Sequence, residues 1–371
     1  MNIKYYIPVY AITLVISAAL LFSVQPMFSK MVLPLLGGTP QVWNTAMLFF
    51  QATLLAGYAY AHGTSRYLSI PVQASIHVAL LLLCIVFLPL AIPEGWQPPT
   101  DSDPTLWQLG LMAACVGGPF FVIAGSAPML QRWFSGTPHP DAHNPYFLYG
   151  ASNLGSMTSL LSYPFIIDPL MGLSQQSLTW SIVYGGLIVF TIIAAFLVYR
   201  GGAYAKAKDS VVGKDAPDSG APSIDWKLRL RWLFWAFVPS SMMLGVTTYI
   251  TTDIASALLL WILPLAIYVG SFILVFSRKQ IFTNQLNTLL LFIALCLILL
   301  FSISLESFVG NPFIIVGLHF AFFFVAAVAC HKRLADLRPD AAHLTEFYLL
   351  MSVGGVMGGF FNAIIAPQFF I

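Results

Sequence analysis

Residues 201–228 read GGAYAKAKDSVVGKDAPDSGAPSIDWKL. The stretch is rich in Gly, Ala, Ser, Asp and Lys and has no hydrophobic period, the composition of a solvated linker rather than a packed element. On both sides the chain changes character. Six apolar segments precede it, at 6–28, 43–62, 71–93, 106–130, 145–167 and 177–199, and five follow, at 230–251, 255–277, 284–304, 312–330 and 345–368. Each is close to the roughly 20 residues that a helix needs to span hydrocarbon. The expected organisation is a first transmembrane bundle over 1–199, a flexible cytoplasmic linker over 200–229 and a second bundle over 230–371.

With 58% hydrophobic and 8% charged residues, the chain has too little polar surface to face water as a soluble globule. Its sixteen lysines and arginines are informative through their placement. With the N-terminus inside, only Lys30 falls on the outer side. The other fifteen, from Lys4, Arg66 and Arg132 to Lys332, Arg333 and Arg338, fall inside, while Glu94, Asp101, Asp103, Asp168, Asp253 and Glu306 fall outside. That asymmetry is the positive-inside signal of a multi-pass inner-membrane protein with a cytoplasmic N-terminus. No basic patch interleaved with aromatics points to nucleic acid. Lys4 followed by an apolar run superficially resembles a signal peptide, but the run continues through Leu20, Leu21 and Phe22 without a cleavage site and reads as the first span. Cys84, Cys115, Cys296 and Cys330 lack any metal-ligand or CxxC spacing and read as structural thiols.

The two halves look alike in the same orientation. Phe120-Phe121-Val122 has a counterpart in Phe323-Phe324-Val325. Phe147, Ser152, Gly155 and Met157 match Phe347, Ser352, Gly355 and Met357 at a constant offset. A parallel six-plus-six repeat joined by a central cytoplasmic loop is the organisation of major facilitator transporters. The expected fold is therefore an all-α polytopic membrane protein, major-facilitator-like, with about eleven transmembrane helices arranged 6+5. On that pattern the twelfth helix is missing, and an end on the apolar Ile371 reads as a chain that stops before the natural protein does.

Ionisable groups at the bilayer centre are costly and usually functional, yet no Asp, Glu, Lys or Arg sits in the middle of a span. Asp168, Asp253 and Glu346 lie at span ends, so a proton-driven antiporter with a buried carboxylate is not expected. His77 and His319 are intramembrane, and a neutral imidazole bonded across helices accounts for each. Neutral polar groups are the better site candidates: Gln25 beside Pro26 in the first span, Asn44 and Gln51 in the second, and Thr247, Thr248 and Asp253 around the end of the seventh. The proline suggests a kinked helix whose freed carbonyl needs a partner. Gly155 in span five and Gly354, Gly355, Gly358 and Gly359 in span eleven read as helix-packing positions, with Asn153 and Asn362 bonding across the contact. A phosphate loop at 354–359 is excluded because no Lys-Ser/Thr follows. His139 and His143 are four apart, but Pro138, Pro140 and Pro145 argue against the helix that a metal pair would need. No metal and no cofactor is expected.

Several segments as they stand resemble one family: Ser17–His62 (SAALLFSVQPMFSKMVLPLLGGTPQVWNTAMLFFQATLLAGYAYAH), APMLQRWF at 127–134, NPYFLYGASNLGSMTSLLSYP at 144–164, TTYITTDI at 247–254, LWILPLAIYVGSFILVF at 260–276 and LTEFYLLMSVGGVMGGFFN at 344–362. Together they are similar to the integral-membrane domain of bacterial proteins in which a facilitator-like bundle is fused to a spermidine-synthase-like domain. Where that family commonly reads Cys-His-Gly-Glu, this chain reads Cys330-His331-Lys332-Arg333. The resemblance implies a bacterial inner-membrane location, a link to polyamine metabolism, and a fused or separate cytoplasmic synthase-like partner. The strand, Gly-rich turn and acidic residues that such a catalytic domain needs do not occur in residues 1–371, so no enzymatic activity is expected of this chain. A polyamine is a polycation and its site would need several carboxylates.

The expected function is thus a non-enzymatic membrane domain that binds or moves a small amine or neutral solute by rocking two bundles about a midplane cavity. Its walls would come from spans one, two, seven and eight. The alternative is a membrane anchor that positions an aminopropyltransferase-like enzyme at the lipid bilayer.

Overall fold

The structure is a computed structural model that describes residues 3–99, 103–200, 224–251, 262–276, 283–308 and 312–369. The expected linker lies outside the described residues except for Arg200 and residues 224–229, and Asp253 lies outside them as well. Among the described residues there is no strand. Eleven main helices follow one another: α1 Tyr6–Leu36, α2 Pro40–Tyr67, α3 Ile70–Leu83, α4 Thr105–Ser135, α5 Leu148–Ser162, α6 Leu173–Arg200, α7 Trp226–Tyr249, α8 Ile262–Phe276, α9 Asn284–Phe308, α10 Pro312–Asp336 and α11 Leu344–Phe360. A π-turn at Ala113–Gly117 lies within α4, and similar turns extend α5 over Tyr163–Ile167 and α11 over Phe361–Ile365.

Two boundaries differ from the sequence expectation. The first helix runs to Leu36 rather than 28, carrying Pro26 and Pro34 inside it. The third stops early: a 3-10 turn at Cys84–Phe87 ends it, and residues 88–93 are not helical. Pro89 and Pro93 have no N–H to donate and disfavour helix at the residue before them, although the run is as apolar as any span.

Successive helices alternate in direction, so the ends sort into two faces. At one, Lys30 near the end of α1 pairs with Asp168 beyond α5. At the other, Arg229 at the start of α7 donates from Nε to Glu346 Oε1 at the start of α11, 2.7 Å away. The second face holds most of the cations and is called the basic face below. The Lys30 and Asp168 side chains are 28% and 16% exposed, between a surface pair and a fully buried one. Asp168→Asn is therefore expected to cost about 1–3 kcal/mol. The double exchange Lys30→Asp with Asp168→Lys should recover at least half of the lost melting temperature. No recovery would mean that the pair is incidental to packing.

Helix pairing repeats with an offset of six. α1 packs on α5 as α7 packs on α11, α2 on α4 as α8 on α10, and α1 on α4 as α7 on α10. The tightest pairs are made possible by glycine. A Cβ at Gly155 would strike the backbone of Val15 on α1, and one at Gly354 would lie 2.6 Å from the Leu233 carbonyl oxygen on α7. In the first half, α6 closes over α1: the Tyr10 hydroxyl donates to the Ala194 carbonyl (3.1 Å) and Trp180 Nε1 to the Leu20 carbonyl (3.0 Å). The halves meet along α2 with α11 and along α5 with α8.

Five described segments are individually long and apolar enough to cross a bilayer: α1, α3 with its 3-10 turn, α4, α6 and most of α10. α2, α5, α7, α8, α9 and α11 are not among them. All of these but α9 face the junction between halves, where packing against protein replaces contact with lipid and polar side chains are tolerated.

Candidate solute cavity

A cavity of about 190 Å³ lies between the halves, walled by α1, α2, α4, α5, α7, α8 and α11. The four expected helices are all present, and α4, α5 and α11 join them. Among the described residues no charged side chain and no histidine lines it. Its apolar wall is strongly aromatic, with Phe22, Phe50, Tyr58, Tyr149, Tyr268 and Phe272. Its polar groups are amides and hydroxyls, chiefly Gln25, Gln51, Asn153, Ser240 and Ser352. A large apolar surface with a few convergent polar groups is the general form of a small-molecule site.

Gln25 is buried on the cavity wall, and its Nε2 donates to the Leu21 carbonyl one turn back, 3.2 Å away. Gln51 crosses from α2 toward α7, with Nε2 3.5 Å from Ser240 Oγ. Ser240 in turn donates to the Gly355 carbonyl of α11 at 2.9 Å. Asn44 also reaches α7, its Nδ2 3.4 Å from Thr248 Oγ1, but neither residue lines the cavity. Thr247 is buried and donates to the Met243 carbonyl within its own helix (2.7 Å), so it does not meet Gln25 across the cavity. Position along the helix explains the difference: Met243 lines the cavity, and Thr247 sits one turn farther from the basic face.

The small-residue helices carry part of the site. Asn153 on α5 and Ser352 on α11 line the cavity, and neither Asn153 Nδ2 nor Ser352 Oγ has a hydrogen-bond partner among the described residues. Asn362 Nδ2, by contrast, ties α11 to α7 through the Ser241 carbonyl (3.0 Å) and hydroxyl (2.8 Å). The five glycines divide in the same way. Gly155, Gly354 and Gly358 press on a neighbouring backbone and Gly359 on the Gln51 side chain. Gly355 faces the cavity, and a Cβ added there would meet no atom within 4 Å.

Of the two intramembrane histidines only His77 makes the expected bond across helices, whereas His319 bonds within its own helix and meets its neighbour through its ring. His77 Nε2 is 3.0 Å from Ser126 Oγ on α4, and its ring stacks on Tyr60. His319 Nδ1 bonds the Ile315 carbonyl at 2.8 Å with the ring against Tyr249. At the basic-face turn, His139 Nδ1 accepts from the Asp141 backbone N–H and His143 turns to the Pro140 carbonyl, so the two do not converge. Sequence reasoning passed over His331 as a site residue. It is fully buried in α10, with Nδ1 2.7 Å from Ser271 Oγ and its ring stacked on Phe272, directly behind the cavity wall. Its neighbour Lys332 suggested a solvated helix end. Among the described residues no group of three or more His, Cys, Asp or Glu is placed to hold a metal ion.

Between the cavity and the basic face the halves are joined by tyrosines. Tyr348 of α11 stacks on Tyr149 of α5, meets Tyr58 of α2 edge-on, and donates to Gln131 Oε1 of α4 at 3.2 Å. The Tyr146 hydroxyl donates to the Pro339 carbonyl at 2.8 Å, and His62 Nδ1 lies 3.0 Å from Thr345 Oγ1. Tyr149 also packs edge-on against Phe272 and Phe276 of α8.

Neither a protein-family model nor a curated protein sequence matches this chain. Solved structures do. The chain is similar to the proton:xylose symporter XylE bound to 6-bromo-6-deoxy-D-glucose, with a TM-score of 0.54 and 12% identity over 99% of this chain and 89% of that one. It is similar to the inward-open xylose transporter XylE from E. coli, with a TM-score of 0.55 and 14% identity over 97% and 90%. For the human organic anion transporter MFSD10 the TM-score is 0.58 and the identity 11% over 99% and 94%. At these identities the likeness is one of fold: this is a multi-pass membrane protein with an all-α, major-facilitator-like architecture.

Proposed function

We propose that the chain is a solute transporter whose two halves rock about the central cavity, exposing it in turn to each side of the membrane. The observation that carries this reading is the cavity itself. It is a largely apolar space at the junction of two repeated bundles, with contacts between halves concentrated along α2–α11 and α5–α8. The charge asymmetry supports a cytoplasmic basic face, and the sequence motifs support a bacterial inner-membrane setting.

The uncharged lining favours a neutral solute. The xylose named for the symporter is of that kind, whereas the organic anion named for MFSD10 would meet no cation among the residues that line this cavity. A polyamine would meet no carboxylate there. If the bundle serves amine metabolism, as the fused synthase-like family suggests, it does so by carrying a neutral molecule or by holding an enzyme at the bilayer. Purified protein in liposomes should accelerate entry of at least one radiolabelled neutral solute from a panel of sugars, polyols, amides and aromatic alcohols. Uptake should be saturable and at least tenfold above empty liposomes. No saturable uptake across the panel would discard the transport reading and leave the anchor.

A further inference from the structure

Three of the cavity-lining residues carry a buried polar atom without a hydrogen-bond partner among the described residues: Gln51 Oε1, Asn153 Nδ2 and Ser352 Oγ. Among the described residues only four other buried side-chain atoms are in that condition, those of Ser65, Thr191, Asn287 and His331, and none of these residues lines the cavity. Buried polar groups in native proteins are nearly always satisfied, and a concentration of exceptions at one place calls for a reason. Neighbouring polar groups on α5 and α11 follow the rule: Ser156 and Ser159 on α5 and Asn362 at the end of α11 are bonded, as is Ser240 on α7.

The orphans have complementary chemistry. Asn153 Nδ2 is a donor, Gln51 Oε1 an acceptor, and the Ser352 hydroxyl either. They come from both halves, Gln51 and Asn153 from the first and Ser352 from the second. The repeat is broken here in a telling way. Ser152 and Ser352 occupy equivalent positions, but Asn153 is matched by Val353. The amide is thus an addition to one half only. Around these groups stand the aromatic side chains of Phe50, Tyr149, Tyr268 and Phe272, which suit a ring-sized apolar body. With no counter-charge on the lining, a solute that enters ionised would lose its hydration without compensation.

We infer that the cavity selects an uncharged, ring-sized solute with a carboxamide or hydroxyl head, which Asn153 and Ser352 hold between the two halves. This rests on the reading of the cavity as the solute site and narrows it to a substrate class. A head group bonded to both halves would also draw them together, making the solute itself the link between binding and rocking.

The test uses the full chain in lipid nanodiscs and matched probes that differ chiefly in charge: benzamide and benzyl alcohol against benzoate, benzylamine and spermidine. Binding is followed by intrinsic tryptophan fluorescence and by melting temperature. Benzamide or benzyl alcohol should bind saturably and at least tenfold more tightly than any charged probe. Asn153→Leu and Ser352→Ala should each weaken that binding tenfold or more. Because each variant removes a buried polar atom that has no partner among the described residues, its ligand-free melting temperature should hold or rise. A fall would mean that the group is already bonded within the fold, and would count against the inference. Three other results would overturn it: charged probes binding as well as neutral ones, no saturable binding of either neutral probe up to its solubility limit, or variants that bind as the parent does. The outcomes separate from those of the uptake experiment. Saturable uptake of a charged solute that ignores Asn153 and Ser352 would sink the substrate class and keep the transporter. Selective neutral binding without uptake would keep the site and sink the transporter.

Discussion

Replacing Gly358 by leucine is expected to leave little or no monodisperse protein in detergent, whereas Gly355→Ala, three residues earlier on the same helix, should melt within a degree or two of the parent. A Cβ at 358 would lie 2.7 Å from the Ser241 backbone nitrogen, 2.9 Å from Ser240 Cβ and 3.0 Å from the Phe237 carbonyl oxygen. Those are mostly backbone atoms of α7 and have no rotamer into which to retreat. Overpacking a tight core costs about 1–3 kcal/mol when side chains can adjust, and a four-carbon side chain against backbone should reach or exceed the upper end. Separating α11 from α7 would also break the bonds from Asn362 to Ser241, which cross at the same place. At Gly355 nothing lies within 4 Å of the added carbon, which would project into the cavity. Melting curves from fluorescence-detected size exclusion would decide the matter. Equal losses for both variants would remove close approach as the reason for glycine at 358.

A comparably large change is expected at the basic face. Tyr348→Ala should raise the labelling rate of a cysteine placed at Ser352 by tenfold or more when a membrane-impermeant maleimide is supplied from that face. The background would carry Cys296→Ser, since Cys84, Cys115 and Cys330 are buried. Tyr348 is 2% exposed and sits at the centre of the tyrosine seal, touching Tyr58, Tyr146 and Tyr149 as well as Gln131. Truncating a buried aromatic removes about 3–5 kcal/mol of packing. The seal exists only where the halves touch, so even half of that loss would shift the balance toward an open basic face by about tenfold or more. Tyr348→Phe keeps the rings and loses the bond to Gln131, about 0.5–1.5 kcal/mol, and should give a smaller rise. Labelling of the alanine variant at the parent's rate would mean that the tyrosines do not close this path.

Much of the architecture is legible in hydropathy. Water and hydrocarbon impose a single requirement on each segment, that about twenty residues be apolar and that their backbone bonds close within the segment. Eleven helices follow from that rule, and the match between 147–157 and 347–357 points to the repeat. The misjudged ends show where the rule stops. Residues 88–93 are apolar but not helical because of Pro89 and Pro93, while α1 absorbs Pro26 and Pro34 and continues to Leu36. Hydropathy does not register a missing N–H, and it cannot say which prolines neighbouring helices will accommodate.

The cavity was only partly legible. Gln25 and Gln51 stand out as amides in apolar helices, and the structure puts both on its wall. Asn44, Thr247 and Thr248 stand out for the same reason and lie away from it. Asn153 and Ser352 were hidden by their surroundings, since a run of Gly and Ser reads as a packing face. On these two helices one side packs while the adjacent side lines the cavity. Gly354 and Gly355 are neighbours in sequence and belong to the two different sides.

Local composition was enough to indicate which stretches are apolar enough for helices in a membrane and where the cations gather. Those properties are sums over a segment and need no knowledge of its neighbours. Which polar atoms find partners could be read only from the packed helices. A hydrogen bond depends on the rotation of two helices about their own axes and on the distance between them. Residues as remote as Asn153 and Ser352 come to share one cavity only when both halves are in place.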